Sequence, residues 1–205
     1  MYKTQQEEFW AGEFGTEYVE RNTYEELVPK NVYEWSNIIN KTIGIKSCVE
    51  FGANIGANLK ALKVLLPNLE VSAVEINKTA CDTYLSKFLS KKNIYNQSVF
   101  DFKSDKKYDL TFTKGVLIHI NPEELQTVYE KLYKYSNKYI VIAEYYNPTP
   151  VTVNYRGIQD RLFKRDFAGE FMDKYRDVKL IDYGFNYRRD NNFKGGDTTW
   201  FLMEK

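Results

Sequence analysis

The sequence predicts an α/β fold in which helices cover both faces of a mostly parallel β-sheet. From residue 46 onwards, short apolar runs typical of buried strands alternate with segments of helical periodicity. The first apolar run ends in a glycine-containing loop that leads directly into a helix, which is typical of doubly wound sheets. The 205 residues are enough for one domain with a substantial core, so neither a metal nor a disulfide is required for stability.

Residues 1–45 are predicted to form a helical cap on this domain. Val32–Trp35 and Ile38-Ile39 place apolar side chains at helical spacing. Pro29 is expected either to separate two short helices or to open the second helix near its first turn. The N-terminal stretch before them is rich in aromatic side chains, which are Phe9, Trp10, Phe14 and Tyr18.

Residues 46–145 are predicted to form the core of the sheet. The expected strands are Lys46–Phe51, Glu70–Glu75, Ile94–Phe100, Tyr108–Thr113 and Tyr139–Glu144. Helices are expected over Gly56–Leu66 and over Asn77–Leu89, with Asn77 as a helix cap. A third helix should begin at Asn121-Pro122-Glu123-Glu124 and run to about Lys134, because this start combines a cap, a first-turn proline and acids near the positive end of the helix dipole.

Residues 146–205 have a different character. Asn147–Arg165 is expected to be a long irregular insert, followed by a helix over Asp166–Tyr175. Val178–Arg188 and Thr198–Glu204 are predicted to be two strands joined by the polar turn Asp190–Asp197. This hairpin would complete a seven-stranded sheet with an antiparallel C-terminal edge.

Charge and hydropathy argue against several classes of partner, although a local basic patch stays possible. The chain has 29 basic and 28 acidic residues, so no bulk attraction to nucleic acid or to an anionic membrane is expected. No apolar run approaches the roughly 18 residues of a membrane span, and the N-terminus lacks the apolar region of a signal peptide. Cys48 and Cys81 lie in apolar contexts without a metal-ligand neighbour, which predicts a reduced, cytoplasmic protein with no metal site.

The loop after the first predicted strand has the composition of a nucleoside-cofactor site. Gly52 and Gly56 allow a sharp turn and a close approach of a ligand to the backbone, and Asn54 between them tolerates left-handed conformations. The helix that follows presents unpaired N–H groups. Glu75, at the end of the second strand, can accept hydrogen bonds from both ribose hydroxyls. The alternative is that the glycines only form a turn and that Glu75 is a solvated strand end.

Glu50, two residues before the first glycine, discriminates between cofactors. In a nicotinamide site this neighbourhood faces a pyrophosphate, which a carboxylate would repel. S-adenosylmethionine (SAM) instead brings a cationic sulfonium and an amino group, which a carboxylate attracts. The charge pattern therefore favours SAM, with S-adenosylhomocysteine (SAH) as its product.

Four segments carry a resemblance to class I SAM-dependent methyltransferases. Val49–Gly56 resembles motif I and Ala73–Ile76 resembles motif II. Phe100-Asp101-Phe102 is similar to the acidic adenine-binding motif after the third strand, and Asp109–Ile120 to the strand-four motif. The resemblance implies a Rossmann-like fold with a seven-stranded sheet, and Asn54 departs from the family's usual glycine pattern.

Carried over by position, the resemblance implies a cofactor-binding set. It comprises Glu50 at the methionine end, Gly52 and Gly56 where the cofactor approaches the backbone, Asn54 in the same loop, Glu75 on the ribose, Ile76 against adenine, Asp101 and the backbone N–H of Phe102 at the adenine edge, the backbone of Lys114 at the methionine moiety, and Leu117 in the cavity wall.

A narrower resemblance covers nearly the whole chain. Glu8–Gly15, Tyr146–Pro150, Asp160–Gly169 and Thr199–Leu202 are similar to segments of the pseudaminic acid biosynthesis-associated methyltransferases. This resemblance implies a methyltransferase more than it implies a substrate. The basic residues of Asn147–Arg165 would fit a small, anionic acceptor methylated at O or N, such as a nonulosonic acid or a sugar nucleotide of surface-glycan biosynthesis.

The sequence indicates the residues that would bind or activate the methyl acceptor less clearly than those that would bind the cofactor. His119, just past the fourth strand, has the pKa class of a general base, although its apolar neighbours equally fit a packing role. The basic insert after strand five can recognise an anion or can be a solvated, salt-bridged loop. The N-terminal aromatics either cover the site or only dock the first helix. The expected substrate-binding residues are Tyr18, Tyr155, Arg156, Arg161 and Lys164.

Three other functions compete with a small-molecule methyltransferase. A nicotinamide-dependent oxidoreductase is disfavoured by Glu50. A methyltransferase acting on RNA or protein is disfavoured by the near-zero net charge and by the lack of an appended binding domain. A SAM-binding protein without catalysis remains open, as does the choice between a monomer and a homodimer.

Overall fold

The computed structural model describes residues 2–155 and 157–205, apart from the side chains of residues 158–160. Within these residues the α-helices are α1 Gln5–Ala11, α2 Glu13–Arg21, α3 Tyr24–Ile39, α4 Ala57–Leu65, α5 Leu125–Tyr135 and α6 Phe167–Lys174. The strands are β1 Ser47–Phe51, β2 Glu70–Glu75, β3 Ile94–Asn96, β4 Tyr108–Lys114, β5 Ser136–Glu144, β6 Val151–Tyr155, β7 Ile158–Lys164, β8 Lys179–Asn186 and β9 Thr198–Glu204.

The main sheet has seven strands in the order β3-β2-β1-β4-β5-β9-β8, which confirms the predicted fold class. Strands β1 to β5 pair in parallel, whereas β9 runs antiparallel to both β5 and β8. The chain order reverses between β1 and β4. In open α/β sheets the crevice at such a switch point, beyond the carboxyl ends of the strands, is where ligands bind.

Apolar side chains form a layer on each face of this sheet. On one face Trp35, Leu59 and Phe112 join the sheet to α3 and α4, and the rings of Trp35 and Phe112 lie 4.6 Å apart. On the other face Tyr129 and Phe171 join it to α5 and α6. None of the helices in the described part of the chain combines the length and the apolar character that crossing a bilayer requires.

Pro29 neither separates two helices nor opens one, so this prediction was wrong. It lies inside α3, which begins after Thr23, whose hydroxyl accepts from the backbone N–H of Glu26 at 3.3 Å. A proline inside a helix removes one backbone hydrogen bond. Burial of Trp35 and Ile38, both with no exposed surface, compensates for that loss and keeps α3 continuous.

Several predicted elements differ in length or regularity. The side-chain oxygen of Asn77 accepts from the backbone N–H of Ala80 at 3.1 Å, as expected of a cap, but the helix that follows is a π-turn over Ala80–Tyr84 and then a 3-10 turn over Leu85–Lys87. The helix expected from Asn121 begins as a 3-10 turn over Pro122–Glu124 before α5. Strand β3 ends at Asn96, four residues earlier than predicted.

The segment predicted as an irregular insert, Asn147–Arg165, is instead a two-stranded antiparallel hairpin outside the main sheet. Its first strand alternates Val151, Val153 and Tyr155 with polar residues, a period of two that fits a half-buried strand. Gly157, at φ +85°, lies in the turn between the strands. The hairpin packs against the segment after β4 and so reaches the crevice.

Candidate functional site

A cleft lies beyond the carboxyl ends of β1, β2 and β4 and consists of two adjoining hollows. The first hollow lies between the end of β2 and helices α1 and α2, with Trp10, Glu75 and Ile76 in its wall. The second hollow lies between α3, the β6–β7 hairpin and the β8–β9 turn, with Glu34 and Glu50 in its wall. The residues that line both hollows are Tyr18, Gly52, Asn54, Lys114, Gly115 and His119.

Gly52 is part of the partition between the two hollows and has no room for a side chain. Its φ is +77°, and its backbone N–H donates to the carbonyl of Val74 at 2.8 Å. A Cβ at this position would lie 2.5 Å from a methyl carbon of Val116. Packing of the loop against Val116 therefore requires a glycine here, at a position that lines both hollows.

Glu75 is held at the tip of β2 by the backbone of the neighbouring loops. Its Oε2 accepts from the N–H of Asn54 at 2.6 Å, and its Oε1 accepts from the N–H of Asn77 at 2.7 Å. Burial raises the pKa of Glu75, and these backbone N–H groups oppose the rise. Because a carboxylate has about four lone-pair sites, both oxygens can still accept hydrogen bonds from a ligand in the first hollow.

Glu50 lies in the wall of the second hollow with only 1% of its surface exposed. Its Oε1 accepts from the side-chain amide of Asn58 at 2.6 Å, whereas its Oε2 has no hydrogen-bond partner among the described residues. Burial raises the pKa of Glu50 to about 8, against the opposing effects of Asn58 and of the charge on Lys114. A cationic group in the hollow would stabilise the ionised form.

Four residues of the predicted cofactor set lie outside the cleft. At Gly56 a Cβ would lie 2.6 Å from Leu85, so this glycine serves the close packing at the start of α4. Asp101 is exposed at the surface, and Leu117 is fully buried in the core. Phe102 is also fully buried, and its backbone N–H donates to the carbonyl of Val99 at 3.3 Å, so it is not directed at a ligand.

The loop that does line the first hollow beyond β3 consists of residues 97–100. Sequence reasoning missed this loop because it extended β3 to Phe100. The available signal was the polar run Asn96-Gln97-Ser98, which directly follows an apolar pair and fits the end of a strand. Gln97 and Ser98 line the first hollow, whereas Asp101 does not.

His119 projects into the cleft between the rings of Trp10 and Tyr155, whose centroids lie 4.6 and 5.1 Å from its own. Its Nδ1 lies 2.6 Å from the carbonyl oxygen of Arg161, which can only accept. A neutral ring therefore carries its proton on Nδ1 and keeps a lone pair on Nε2. Burial lowers the pKa of His119 to about 4, so the ring is neutral at neutral pH.

The residues predicted to bind an acceptor divide into two groups. Tyr18 and Tyr155 line the second hollow. The guanidinium of Arg161 instead lies 5.4 Å from the ring of Phe9, on the outer side of α1, and Lys164 lies over the ring of Tyr145 without lining the cleft. Arg156 lies outside the described residues.

The β8–β9 turn contributes a further part of the second hollow. This turn was predicted only as a polar connection between two strands, but residues 193–196 line the hollow. The ring of Phe193 stacks on that of Tyr33 in α3 at 4.5 Å, with an angle of 8° between the ring planes. Asp190 supports the turn by accepting from the backbone N–H of Phe193 at 2.6 Å. No local pattern signals a contact between such distant segments.

Helices α1 and α2 both dock on the sheet and form a wall of the first hollow. The side-chain amide of Asn77 donates to the carbonyl of Trp10 and to the hydroxyl of Thr16, each at 3.2 Å. A Cβ on Gly15 would overlap the Trp10 carbonyl at 1.8 Å, so the two helices meet as closely as glycine allows. The cap residue of one helical segment thus anchors the N-terminal helices.

The sequence matches no known family model and no curated protein. A SAM-dependent methyltransferase from Leishmania major is 15% identical over 99% of this chain and 87% of that chain, with a TM-score of 0.70. One from Clostridium acetobutylicum is 10% identical over 93% of this chain and 97% of that chain, with a TM-score of 0.63. Magnesium protoporphyrin IX methyltransferase from Synechocystis with bound SAM is 10% identical over 100% of this chain and 99% of that chain, with a TM-score of 0.64. The chain has the Rossmann-like fold of these enzymes, and none of these comparisons confirms the narrower resemblance.

Proposed function

We propose that this chain is a SAM-dependent methyltransferase that acts on an oxygen or nitrogen of a small metabolite and leaves SAH. The observation that carries the proposal is the carboxylate of Glu75, which the backbone holds at the tip of β2 inside the cleft. It lies one strand from the switch point between β1 and β4, in the crevice where open α/β sheets bind their ligands. The buried Glu50 in the adjoining hollow supports a ligand that is cationic next to its nucleoside.

The first hollow suits the adenosine part of SAM. Glu75 would accept from the ribose hydroxyls, and Ile76 would pack against the adenine ring together with Val99. Gln97 and Ser98 supply polar groups at the far end of the hollow, in place of Asp101 and Phe102. Bound in this way, the cofactor supplies an electrophilic methyl group, and the protein's task is to orient an acceptor in line with it.

The second hollow suits the methionine end of SAM and the acceptor. Its wall includes Tyr18, Tyr155 and His119. Lys194 on the β8–β9 turn adds a positive charge to this wall and forms no ion pair among the described residues. These residues support an anionic acceptor, and the narrower resemblance supports a nonulosonic acid or a sugar nucleotide. Lys194 then takes the role that sequence reasoning gave to Arg161 and Lys164.

Isothermal titration with SAM, SAH and NAD tests the cofactor assignment. We expect binding of SAM and SAH and no binding of NAD, and a folded protein that binds neither SAM nor SAH would contradict the proposal. Incubation with methyl-labelled SAM and a cell extract tests catalysis. Label in the small-molecule fraction supports the proposal, whereas label only in RNA or protein, or no label at all, supports one of the competing functions.

His119→Ala is expected to lower methyl transfer by about 100-fold, the effect of losing a general base. The neutral ring presents Nε2 to the cleft because Nδ1 is occupied by the carbonyl of Arg161. Transfer of label from SAM into the small-molecule fraction measures the rate, and SAH titration should show unchanged affinity. Near-wild-type transfer by the variant would exclude the base role.

Binding of SAH is expected to strengthen as pH rises towards 8. Burial raises the pKa of Glu50 to about 8, so in the free protein this carboxyl is largely protonated at neutral pH. A ligand ammonium beside it favours the carboxylate, so binding releases a proton, and the affinity rises by up to about tenfold per pH unit below that pKa. Titration between pH 6 and 8 in buffers of different ionisation enthalpy measures this release. Glu50→Gln should abolish it, and an unchanged pH dependence in that variant would refute the assignment.

A further inference from the structure

Helix α3 of the N-terminal cap reaches the wall of the second hollow through two polar side chains. Asn31 and Glu34 lie three residues apart on one face of the helix and are only 5% and 6% exposed. Lys114, at the end of β4, donates to Oδ1 of Asn31 at 2.9 Å and to Oε2 of Glu34. Asn58, which binds Glu50, is itself held by the indole N–H of Trp35 at 3.2 Å. Hence α3 supports the hollow at two points.

Three buried oxygens around this hollow have no hydrogen-bond donor among the described residues. They are Oε1 of Glu34, Oε2 of Glu50 and Oδ1 of Asn54, and all three residues line the second hollow. A buried acceptor without a donor costs about 1–3 kcal/mol, and more when it is charged. Three such atoms from different elements, gathered at one hollow, indicate a ligand that brings several N–H donors.

Lys114, which is half-buried, has one N–H donor left open in the same place. An ammonium group has three N–H donors, and Lys114 uses two of them on Asn31 and Glu34. With Glu50 ionised, the open valences of the hollow are therefore three acceptors and one cationic donor. This set matches an α-amino acid zwitterion, in which an ammonium with three donors lies beside a carboxylate.

We propose that Glu34 is a cofactor-binding residue that contacts the amino acid end of SAM, so that the cap helix α3 is part of the cofactor site. In this arrangement the ligand ammonium donates to Glu34, Glu50 and Asn54, and its carboxylate pairs with Lys114. The proposal rests on the proposed function, because it assigns residues to one end of the same cofactor. The assignment of Glu34 extends the proposed function, because it adds to the cofactor site an acid that lies in the N-terminal cap rather than in the sheet.

A ligand series tests this assignment on the wild-type protein. The probes are SAH, its 4-thiobutyrate analogue that lacks the ammonium, and 5′-methylthioadenosine that lacks the whole amino acid chain. We expect the analogue to bind about tenfold or more weakly than SAH, the effect of losing charged hydrogen bonds. Equal affinity of SAH and the analogue would overturn the proposal. Failure of all three ligands to bind would instead contradict the proposed function.

Glu34→Gln then separates a contact with the ligand from a structural role. We expect SAH to bind about tenfold more weakly to this variant and 5′-methylthioadenosine to bind as before. The difference in affinity between SAH and its 4-thiobutyrate analogue should also be smaller in this variant than in the wild type, because Glu34 and the ligand ammonium form one coupled pair. Glu26→Gln, an exposed carboxylate on the same helix that pairs with Lys30, is the matched control and should change neither ligand. A parallel loss of both ligands, or no loss of SAH binding, would overturn the proposal.

Discussion

Replacement of Glu75 by glutamine is expected to weaken SAH binding by about 100-fold. The carboxylate offers lone pairs on both oxygens to the ribose hydroxyls, and hydrogen bonds to a charged group contribute about 1.5–3 kcal/mol each. Glutamine has the same shape, but its amide NH2 group is a donor at a position where an acceptor is needed. The groups that need this acceptor include the backbone N–H groups of Asn54 and Asn77. A loss of about 3 kcal/mol of binding free energy corresponds to an increase of about 100-fold in the Kd for SAH, which isothermal titration measures.

Glu70→Gln is the matched control, since Glu70 begins the same strand at its far end and forms an exposed ion pair with Lys106 at 2.6 Å. Exposed pairs contribute little, so both SAH binding and unfolding should stay at wild-type values. A Glu75→Gln protein that unfolds normally and binds SAH as tightly as wild type would remove the observation on which the proposed function rests.

Gly52→Ala is expected to destabilise the fold by about 3 kcal/mol and to weaken SAH binding at least about tenfold. The left-handed backbone costs an L-residue about 1–2 kcal/mol, and overpacking adds about 1–3 kcal/mol. Here the added Cβ would lie 2.5 Å from a methyl carbon of Val116. Because Gly52 lines both hollows, a displacement of its loop changes both. Urea unfolding measures the loss of stability, and SAH titration measures the loss of affinity.

Gly44→Ala isolates the backbone contribution. Gly44 has a φ of +72°, close to that of Gly52, but nothing lies within 4 Å of a Cβ there. This variant should lose only about 1–2 kcal/mol of stability and keep its SAH affinity. If the two alanine variants behave alike in both measurements, the contact with Val116 and the place of Gly52 in the cleft have no special role.

Sequence reasoning was most successful where one short segment determines its own geometry. The alternation of strands and helices and the antiparallel C-terminal edge were predicted and are confirmed. It failed where local patterns compete. Asn147–Arg165 contains polar and basic residues that suggest a loop, yet the alternation from Val151 to Tyr155 produces a strand. The loop over residues 97–100 was missed because Val99 and Phe100 were taken as a continuation of β3, across the polar run Asn96-Gln97-Ser98.

The sequence by itself determined the loop between β1 and α4 and the acids on either side of it. Gly52, Glu50 and Glu75 can be identified because a strand, a sharp turn and a helix require particular residues at fixed spacing. Only the tertiary structure decided which other side chains join them. Glu34 meets Lys114 across 80 residues, His119 meets Arg161 across 42, and Phe193 stacks on Tyr33. Such contacts depend on how separate elements pack on a common sheet, and no local period in the chain records that packing.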